Sequence, residues 1–540
     1  MTYDGAINRI ERALPLRSVS PRAIAWLRWI TLASLAVSVV LCAVLTRHWR
    51  VVNDAAQLDY VVFMIDHGWA PYRQIFEMNQ PGIYLVNWTV RHTLGKSDLA
   101  WRVFDGSLMA LLTVAMIVVC RRAIPEDQGL PKQAMQADWF FGFFGGVLFA
   151  LYHLRDGAGQ MGQRDLIIGV LMVCAYAFMF EALRRRDWRL MFGVGFCAVA
   201  SGTMKPTPLP FALLLVFLAI MHWRKLYGSV TAPLLAALAG MATPLFVIFA
   251  LLIHFRSVHA FFYIWRVVLP YYAPLSRMDF GTMMIVGGTP SVRTVVLIAC
   301  ALMLLRRDSW KRWEDRMLLL GVMFGLFSYY VQHKGFNYHR YPMLIFLFLW
   351  SVWQLGGALR EYRRPLLQWL AVAVIVFGAV VAPIYSLRAG STHWPEEFTA
   401  ALTDDLNQWG GARLSGHVQC LYTLAECDTV LFRTGLVQST GLIYDFFLFQ
   451  PPTARPVRDA QHYFWNAVHS DPPTVIILGR SAFPMGPKDY DKLYRWPAFA
   501  AWLHENYVLE DQQNFPPTEG GPVGFQFYVR RDSEAWPSHN

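Results

Sequence analysis

Residues Ala25–Leu45 read A-W-L-R-W-I-T-L-A-S-L-A-V-S-V-V-L-C-A-V-L, and the chain then changes character at Asn53–Tyr60, N-D-A-A-Q-L-D-Y. Farther along come H-G-W-A-P-Y-R at His67–Arg73 and E-M-N-Q-P at Glu77–Pro81. The apolar run matches the roughly 20 residues that a helix needs to cross a hydrocarbon core. The acids after it stand where bulk water begins, and ionisable groups at a membrane boundary are costly enough to mark function. Asp54 is the first of these acids. It is either a catalytic carboxylate or a loop acid that solvates or caps a helix.

Composition agrees with a membrane protein. The 540 residues are 55% hydrophobic and only 16% charged, with mean hydropathy +0.32. A water-soluble chain of this length has no reason to be so apolar. The formal charge of +11 therefore speaks for topology and anionic lipid and against a nucleic-acid partner.

Apolar runs place about 11 transmembrane helices near 26–46, 98–119, 138–153, 165–183, 190–204, 207–222, 230–254, 286–305, 317–332, 341–358 and 366–386. Arg9, Arg12, Arg17 and Arg22 precede the first run, which reads as a signal anchor with residues 1–25 cytoplasmic. Alternate connections then carry Arg121-Arg122, Arg184-Arg185-Arg186, Arg224-Lys225, Arg306-Arg307 with Lys311-Arg312, and Arg360 with Arg363-Arg364. Clustering of Lys and Arg on one side is the positive-inside pattern. The odd number of spans puts the C-terminal part outside.

The other connections differ. They carry acids, aromatics, Gly and Pro beside isolated cations. The first, 47–97, holds Asp54, Asp59, Asp66 and Glu77, and Pro81–Gly95 within it reads as an interfacial helix. The second is L-R-D-G-A-G-Q-M-G-Q-R-D, ending at Asp165; the third is G-T-M-K-P-T-P around Lys205. The fourth, His254–Gly288, is amphipathic, and the fifth, Gln332–Pro342, is Q-H-K-G-F-N-Y-H-R-Y-P. From Leu387 the composition turns polar. Short strand-like runs at His417–Tyr422, Thr474–Leu478, Tyr507–Glu510 and Phe525–Val529, with helices at Pro395–Trp409 and Ala498–Asn506, predict a soluble α/β domain over 387–540. Cys420 and Cys427 lie in it, as a disulfide or as two thiols.

An inside-first span, a long first outer loop with an early Asp, G-W-x-P-Y-R after it, and a later outer loop ending in an acid resemble the GT-C superfamily, and within it glycosyltransferase family 39. That family uses dolichyl- or polyprenyl-phosphate sugars and includes protein O-mannosyltransferases and the lipid A aminoarabinose transferase. The resemblance covers the membrane part, 26–386, and implies a mainly α, polytopic GT-C fold with a small C-terminal α/β extracytoplasmic domain. It implies a catalytic Asp at position 54 and a second functional carboxylate at Asp165. Family members often carry Asp-Glu at the first position, whereas Asp54 is followed by Ala55, so Asp54 has to work with groups from other loops.

The chemistry points to the same residues. Transfer from a lipid-phosphate sugar needs a base for the acceptor hydroxyl, cations for the departing phosphate, and passes through an oxocarbenium-like state. Asp54 suits the base. Asp165, at the start of a span, either orients the acceptor or complements a helix dipole. Arg164, Lys205, Lys334 and Arg340 sit outside against the positive-inside trend and are phosphate candidates; snorkelling at a helix end is the alternative. Tyr338 and His339 share the donor-rich fifth loop. Tyr72 shapes the first loop, with sugar stacking open. His333 and His339 lack metal-ligand spacing; a divalent ion between Asp54 and Asp165 stays open, and no other cofactor is expected. The expected partners are a polyprenyl-phosphate-linked sugar, membrane lipids, and an acceptor that is lipid A, a polysaccharide, another lipid or a protein. The expected location is the bacterial inner membrane. A lipid flippase or transporter, or an O-antigen ligase-like or polymerase-like enzyme, is the alternative; internal repeats and mid-span charges, which transporters favour, are not evident.

Overall fold

The computed structural model describes residues 17–121, 138–306, 311–360, 364–392, 396–422, 426–480, 489–518 and 521–533. Arg9, Arg12, Arg122, Arg307 and Arg363 of the basic clusters, and Pro395, lie outside these residues. The chain forms two compact units. One comprises Met1–Trp49, Arg102–Leu245 and Met278–Thr392; the other comprises Arg50–Trp101, Phe246–Arg277 and His393–Asn540.

The first unit is a helical bundle. Helix Tyr341–Leu359 is its centre: the apolar window in Asn337–Leu359 is 100% buried, and that in Arg164–Arg185 is 83% buried. A helix that is apolar all round belongs inside. Pro21–His48 and Pro365–Gly390 bury only 28% of theirs. They pack on each other and leave Trp26, Trp29, Val40, Phe377 and Val380 on the surface, as helices facing lipid do. Close packing uses small residues. A side chain at Gly195 would overlap the Ala237 carbonyl, and one at Gly240 the Phe192 carbonyl, so helices Leu190–Met204 and Thr231–His254 approach through their backbones.

Ten of the eleven predicted spans fall on single helices, with boundaries shifted by a few residues, and 286–305 crosses a break at Gly288–Thr289. Seven are long and apolar enough to cross a membrane, or eight if the bent pair Phe280–Gly287 and Val292–Met303 is one span. Leu190–Met204, at 15 residues, reaches only about 22 Å at 1.5 Å per residue, short of a hydrocarbon core of about 30 Å. Asp138–Arg155 and Trp313–Gln332 are helices that do not meet the length-and-apolarity criterion. Contacts support the alternation of direction. The start of Arg164–Arg185 meets the ends of Leu190–Met204 and Trp313–Gln332. At the opposite end, Arg184 donates to the Val118 carbonyl at 2.5 Å and Tyr227 to the Leu183 carbonyl at 2.5 Å.

The second unit is built on a four-stranded sheet, β1 (Val418–Leu421), β2 (Val475–Gly479), β3 (Tyr507–Thr518) and β4 (Gly521–Arg530), in the order β1-β2-β4-β3. β1 and β2 are parallel; the other pairs are antiparallel. β1 and β2 are buried on both faces, which explains the unbroken apolar run of β2; in β1 the buried Gln419 accepts from Ser439 and Thr440. Helix Arg455–Ser470, not predicted from the sequence, buries a stripe of Pro456, Val457, Ala460, Phe464 and Val468 at helical spacing. Cys420 and Cys427 form a disulfide with Cα atoms 6.3 Å apart, which ties β1 to helix Glu426–Thr434. That helix packs on Asn53–Asp66 of the first outer loop. The stretch Pro81–Gly95 is helical over Pro81–Thr93.

Candidate functional site

Each unit carries its own buried polar cluster. In the first unit, helix Leu190–Met204 ends at Lys205, whose backbone is extended (φ −160°, ψ 139°) ahead of Pro206 and Pro208, which cannot continue a helical hydrogen-bond ladder. Lys205 Nζ donates to Asp165 at 2.8 Å (Oδ2) and 3.1 Å (Oδ1), and also to Gln332 Oε1. The Asp165 side chain is fully buried and that of Lys205 is 14% exposed. Two residues expected to act separately, as acid and phosphate ligand, are thus an ion pair. Burying one carboxylate without the other charge would be prohibitive.

The fifth loop adds to this pair. His333 ends helix Trp313–Gln332 in the left-handed region (φ 51°). Lys334 follows and is buried; desolvation pushes its ammonium down to about 8. His339 and Arg340 are buried in the 3₁₀ turn Asn337–Arg340. Lys205, Arg164 and Lys334 all act electrostatically on the His339 ring. Tyr338, half-buried, stacks on Phe336 at 5.7 Å and meets His339 edge-on at 4.6 Å. Arg340 Nη2 lies 3.5 Å from Asp156 Oδ2, and its Nε donates to the Asn337 carbonyl at 3.1 Å. Among the described residues, four cations (Arg164, Lys205, Lys334, Arg340) and two carboxylates (Asp156, Asp165) therefore gather around His339. Such a set suits an anion with several oxygens.

Sequence reading passed over several members. Asp156 lies in the second loop, nine residues before Asp165. Asp105, His153 and Tyr341 form a further chain: His153 Nε2 lies 3.0 Å from Asp105 Oδ2, and His153 Nδ1 lies 2.9 Å from the Tyr341 hydroxyl. The signal was available, since an ionisable residue inside an apolar helix is expensive and rarely idle.

In the second unit, Asp54 occupies the first turn of helix Asn53–Asp66, after Asn53 in the left-handed region (φ 56°), a conformation that Asn tolerates better than most residues. Among the described residues Asp54 makes no hydrogen bond or ion pair. It is half-buried and acts electrostatically on the Tyr444 hydroxyl. Glu77 organises the surrounding loop. It is 1% exposed and accepts from the Asn79 amide (2.6 Å), Asn79 Nδ2 (2.5 Å), Tyr444 (2.5 Å) and Tyr84. Burial and the Glu77 charge push both tyrosine hydroxyls well above their ordinary range, so they stay protonated as donors. Tyr72 (φ 64°) is 5% exposed. Its hydroxyl donates to the Asn79 carbonyl at 2.6 Å and its ring packs on Tyr84 and Phe261, so its contacts are those of a loop-shaping residue.

Asp59, buried on the same helix, lies 3.5 Å from Arg91 Nη1 of helix Pro81–Thr93 and accepts from Trp101 Nε1 at 3.4 Å. Desolvation lifts its carboxyl to about 6 despite the opposing pull of Arg91. Arg91 also pairs with Asp66 at 3.1 Å and lies over Phe432 at 4.7 Å. This network fastens helix Pro81–Thr93 to helix Asn53–Asp66. Among the described residues no group of three or more His, Cys, Asp or Glu is placed to hold a metal.

No family model matches the chain, and no curated protein matches it. Solved structures do. ArnT from Cupriavidus metallidurans bound to undecaprenyl phosphate superposes with a TM-score of 0.55 at 12% identity, over 92% of this chain and 98% of that one. The same protein in the apo state gives a TM-score of 0.57 at 14% identity, over 92% and 97%. ArnT is a lipid A aminoarabinose transferase and a GT-C glycosyltransferase. At such identities the likeness is one of fold, and that fold is the one anticipated from the first outer loop.

Proposed function

We propose that this chain is an inverting glycosyltransferase that moves a sugar from a polyprenyl-phosphate donor to an acceptor at the outer face of the bacterial inner membrane. The observation that carries the reading is the cation-rich cluster of Arg164, Lys205, Lys334, His339 and Arg340 where helix ends of the bundle converge. The shared fold with a protein crystallised with undecaprenyl phosphate supports a polyprenyl phosphate as the carrier.

The roles follow from the chemistry. The acceptor hydroxyl gives its proton to Asp54, and its oxygen bonds to the anomeric carbon as the bond from that carbon to the phosphate oxygen breaks. The lipid phosphate leaves with the extra negative charge, which Arg164, Lys334 and Arg340 stabilise. Asp165 keeps Lys205 extended toward the cluster. A single displacement inverts the anomeric configuration. The donor has to be lipid-linked because nucleotide sugars are scarce outside the cytoplasm, with the N-terminus cytoplasmic and residues 387–540 periplasmic.

The test is transfer by purified protein from a panel of polyprenyl-phosphate sugars to lipid A, glycan, lipid and peptide acceptors. Asp54→Asn should lose about 100-fold or more in rate while melting like wild type; normal turnover by the folded variant sinks the mechanism. Wild type that scrambles lipid without transferring sugar is a flippase.

A further inference from the structure

Asp105, His153 and Tyr341 have no part in the chemistry above, yet all three are buried, at 3%, 3% and 0% exposure. They come from three helices, Asp98–Cys120, Asp138–Arg155 and Tyr341–Leu359. Each alone would be costly in an apolar interior; together they satisfy one another. A carboxylate only accepts, so His153 Nε2 carries the hydrogen that Asp105 receives, and His153 Nδ1 shares a hydrogen bond with the Tyr341 hydroxyl. The Gly162 amide also donates to Asp105 at 3.4 Å, and Arg102 lies 4.0 Å away.

The location gives the chain of bonds its use. His339, Arg340 and Tyr341 are consecutive at the junction between the 3₁₀ turn Asn337–Arg340 and helix Tyr341–Leu359. No side chain caps the turn or the helix, and the helix has Pro in its first turn. A 3₁₀ turn has poor hydrogen-bond geometry, and Pro342 adds no amide donor. The junction is therefore weakly fixed by its own backbone. We infer that Asp105, His153 and Tyr341 form a positioning relay that holds this junction, and with it His339 and Arg340, in place for a phosphate-bearing ligand. The inference rests on the reading of the cation cluster as a phosphate site. The relay moves no proton in turnover; its task is geometric, and the charged and titratable groups around it are Arg102, Asp156, Tyr152 and Arg340.

The experiment uses the full chain in detergent, with undecaprenyl phosphate as probe in native mass spectrometry and donor kinetics alongside. Tyr341→Phe removes only the hydroxyl and should fold. It should weaken probe binding and raise KM by about three- to tenfold, the reach of one hydrogen bond inside a membrane protein, with kcat within about twofold and an unchanged pH profile. His153→Gln offers an amide to both neighbours and should bind more tightly than His153→Ala. The double variant Tyr341→Phe, His153→Gln should be no worse than the weaker single, because the two sites share one chain of bonds. Wild-type binding by Tyr341→Phe, or a loss confined to kcat with a shifted pH profile, overturns the inference. Arg340→Ala and Lys334→Ala separate the two readings. If both bind the probe normally, the phosphate site itself is wrong. If both lose it while Tyr341→Phe keeps it, only the relay fails.

Discussion

Replacing Lys205 with Met should destabilise the first unit by about 3 kcal/mol, the lower part of the range for breaking a buried ion pair. The structure sets that figure. Asp165 has no exposed side-chain surface and Lys205 is 14% exposed, so the ammonium keeps slight hydration while the carboxylate has none. Without Lys205, the Gln332 amide at 3.5 Å is a poor substitute for two charge-assisted bonds. The cost comes from the uncompensated carboxylate more than from the lost attraction. Lys205→Met combined with Asp165→Asn removes that charge and should recover most of the loss, with a coupling of about 2 kcal/mol between the sites. Thermal melting and denaturant titration in one detergent measure both variants, and sugar transfer is assayed on each. Stability should return in the double variant, and activity should not, because Lys205 also contributes charge to the cluster. A Lys205→Met protein that melts within about 1 °C of wild type, or a double variant as unstable as the single, refutes the argument that this pair is a buried electrostatic unit.

Gly195→Leu and Gly240→Leu should each cost about 1–3 kcal/mol or abolish folded yield, since each would push a side chain into a facing backbone carbonyl; size-exclusion profiles and melting report it. Cys420→Ser, Cys427→Ser should lower the stability of the second unit by about 2 kcal/mol for so short a loop, and reductant should have no further effect on that variant's melting. Burial lifts the Glu426 carboxyl to about 8, above its unfolded value near 4.3. Its contribution is then complete below about pH 4 and falls as pH rises to about 8, because only the folded state holds the proton there. Glu426→Gln should flatten that part of the stability–pH curve; an unchanged slope between pH 5 and 8 contradicts it.

Much of the bundle could be read from the chain because crossing a bilayer imposes length and apolarity on each helix separately. Those constraints are local, so ten of the eleven predicted spans fall on single helices. The strand at Val475–Gly479 was legible for the same reason: a buried strand leaves a continuous apolar run. The span count was less legible, because Leu190–Met204, Asp138–Arg155 and Trp313–Gln332 lie near the limits of length or polarity at which composition decides.

The sequence alone determined that this is a multi-pass membrane protein with acids and isolated cations in the connections between its apolar helices, Asp54 and Lys205 among them. Only the tertiary structure decided which of those groups meet. It joined Lys205 to Asp165, gave Arg340 to Asp156, enclosed Glu77 among Tyr84, Tyr444 and Asn79, and linked Asp105 to Tyr341 through His153. The reason is physical. Partition into a membrane acts on each segment by its own composition, whereas pairing of buried charges depends on distances of about 3 Å between side chains far apart in sequence, and those distances exist only once the helices have packed.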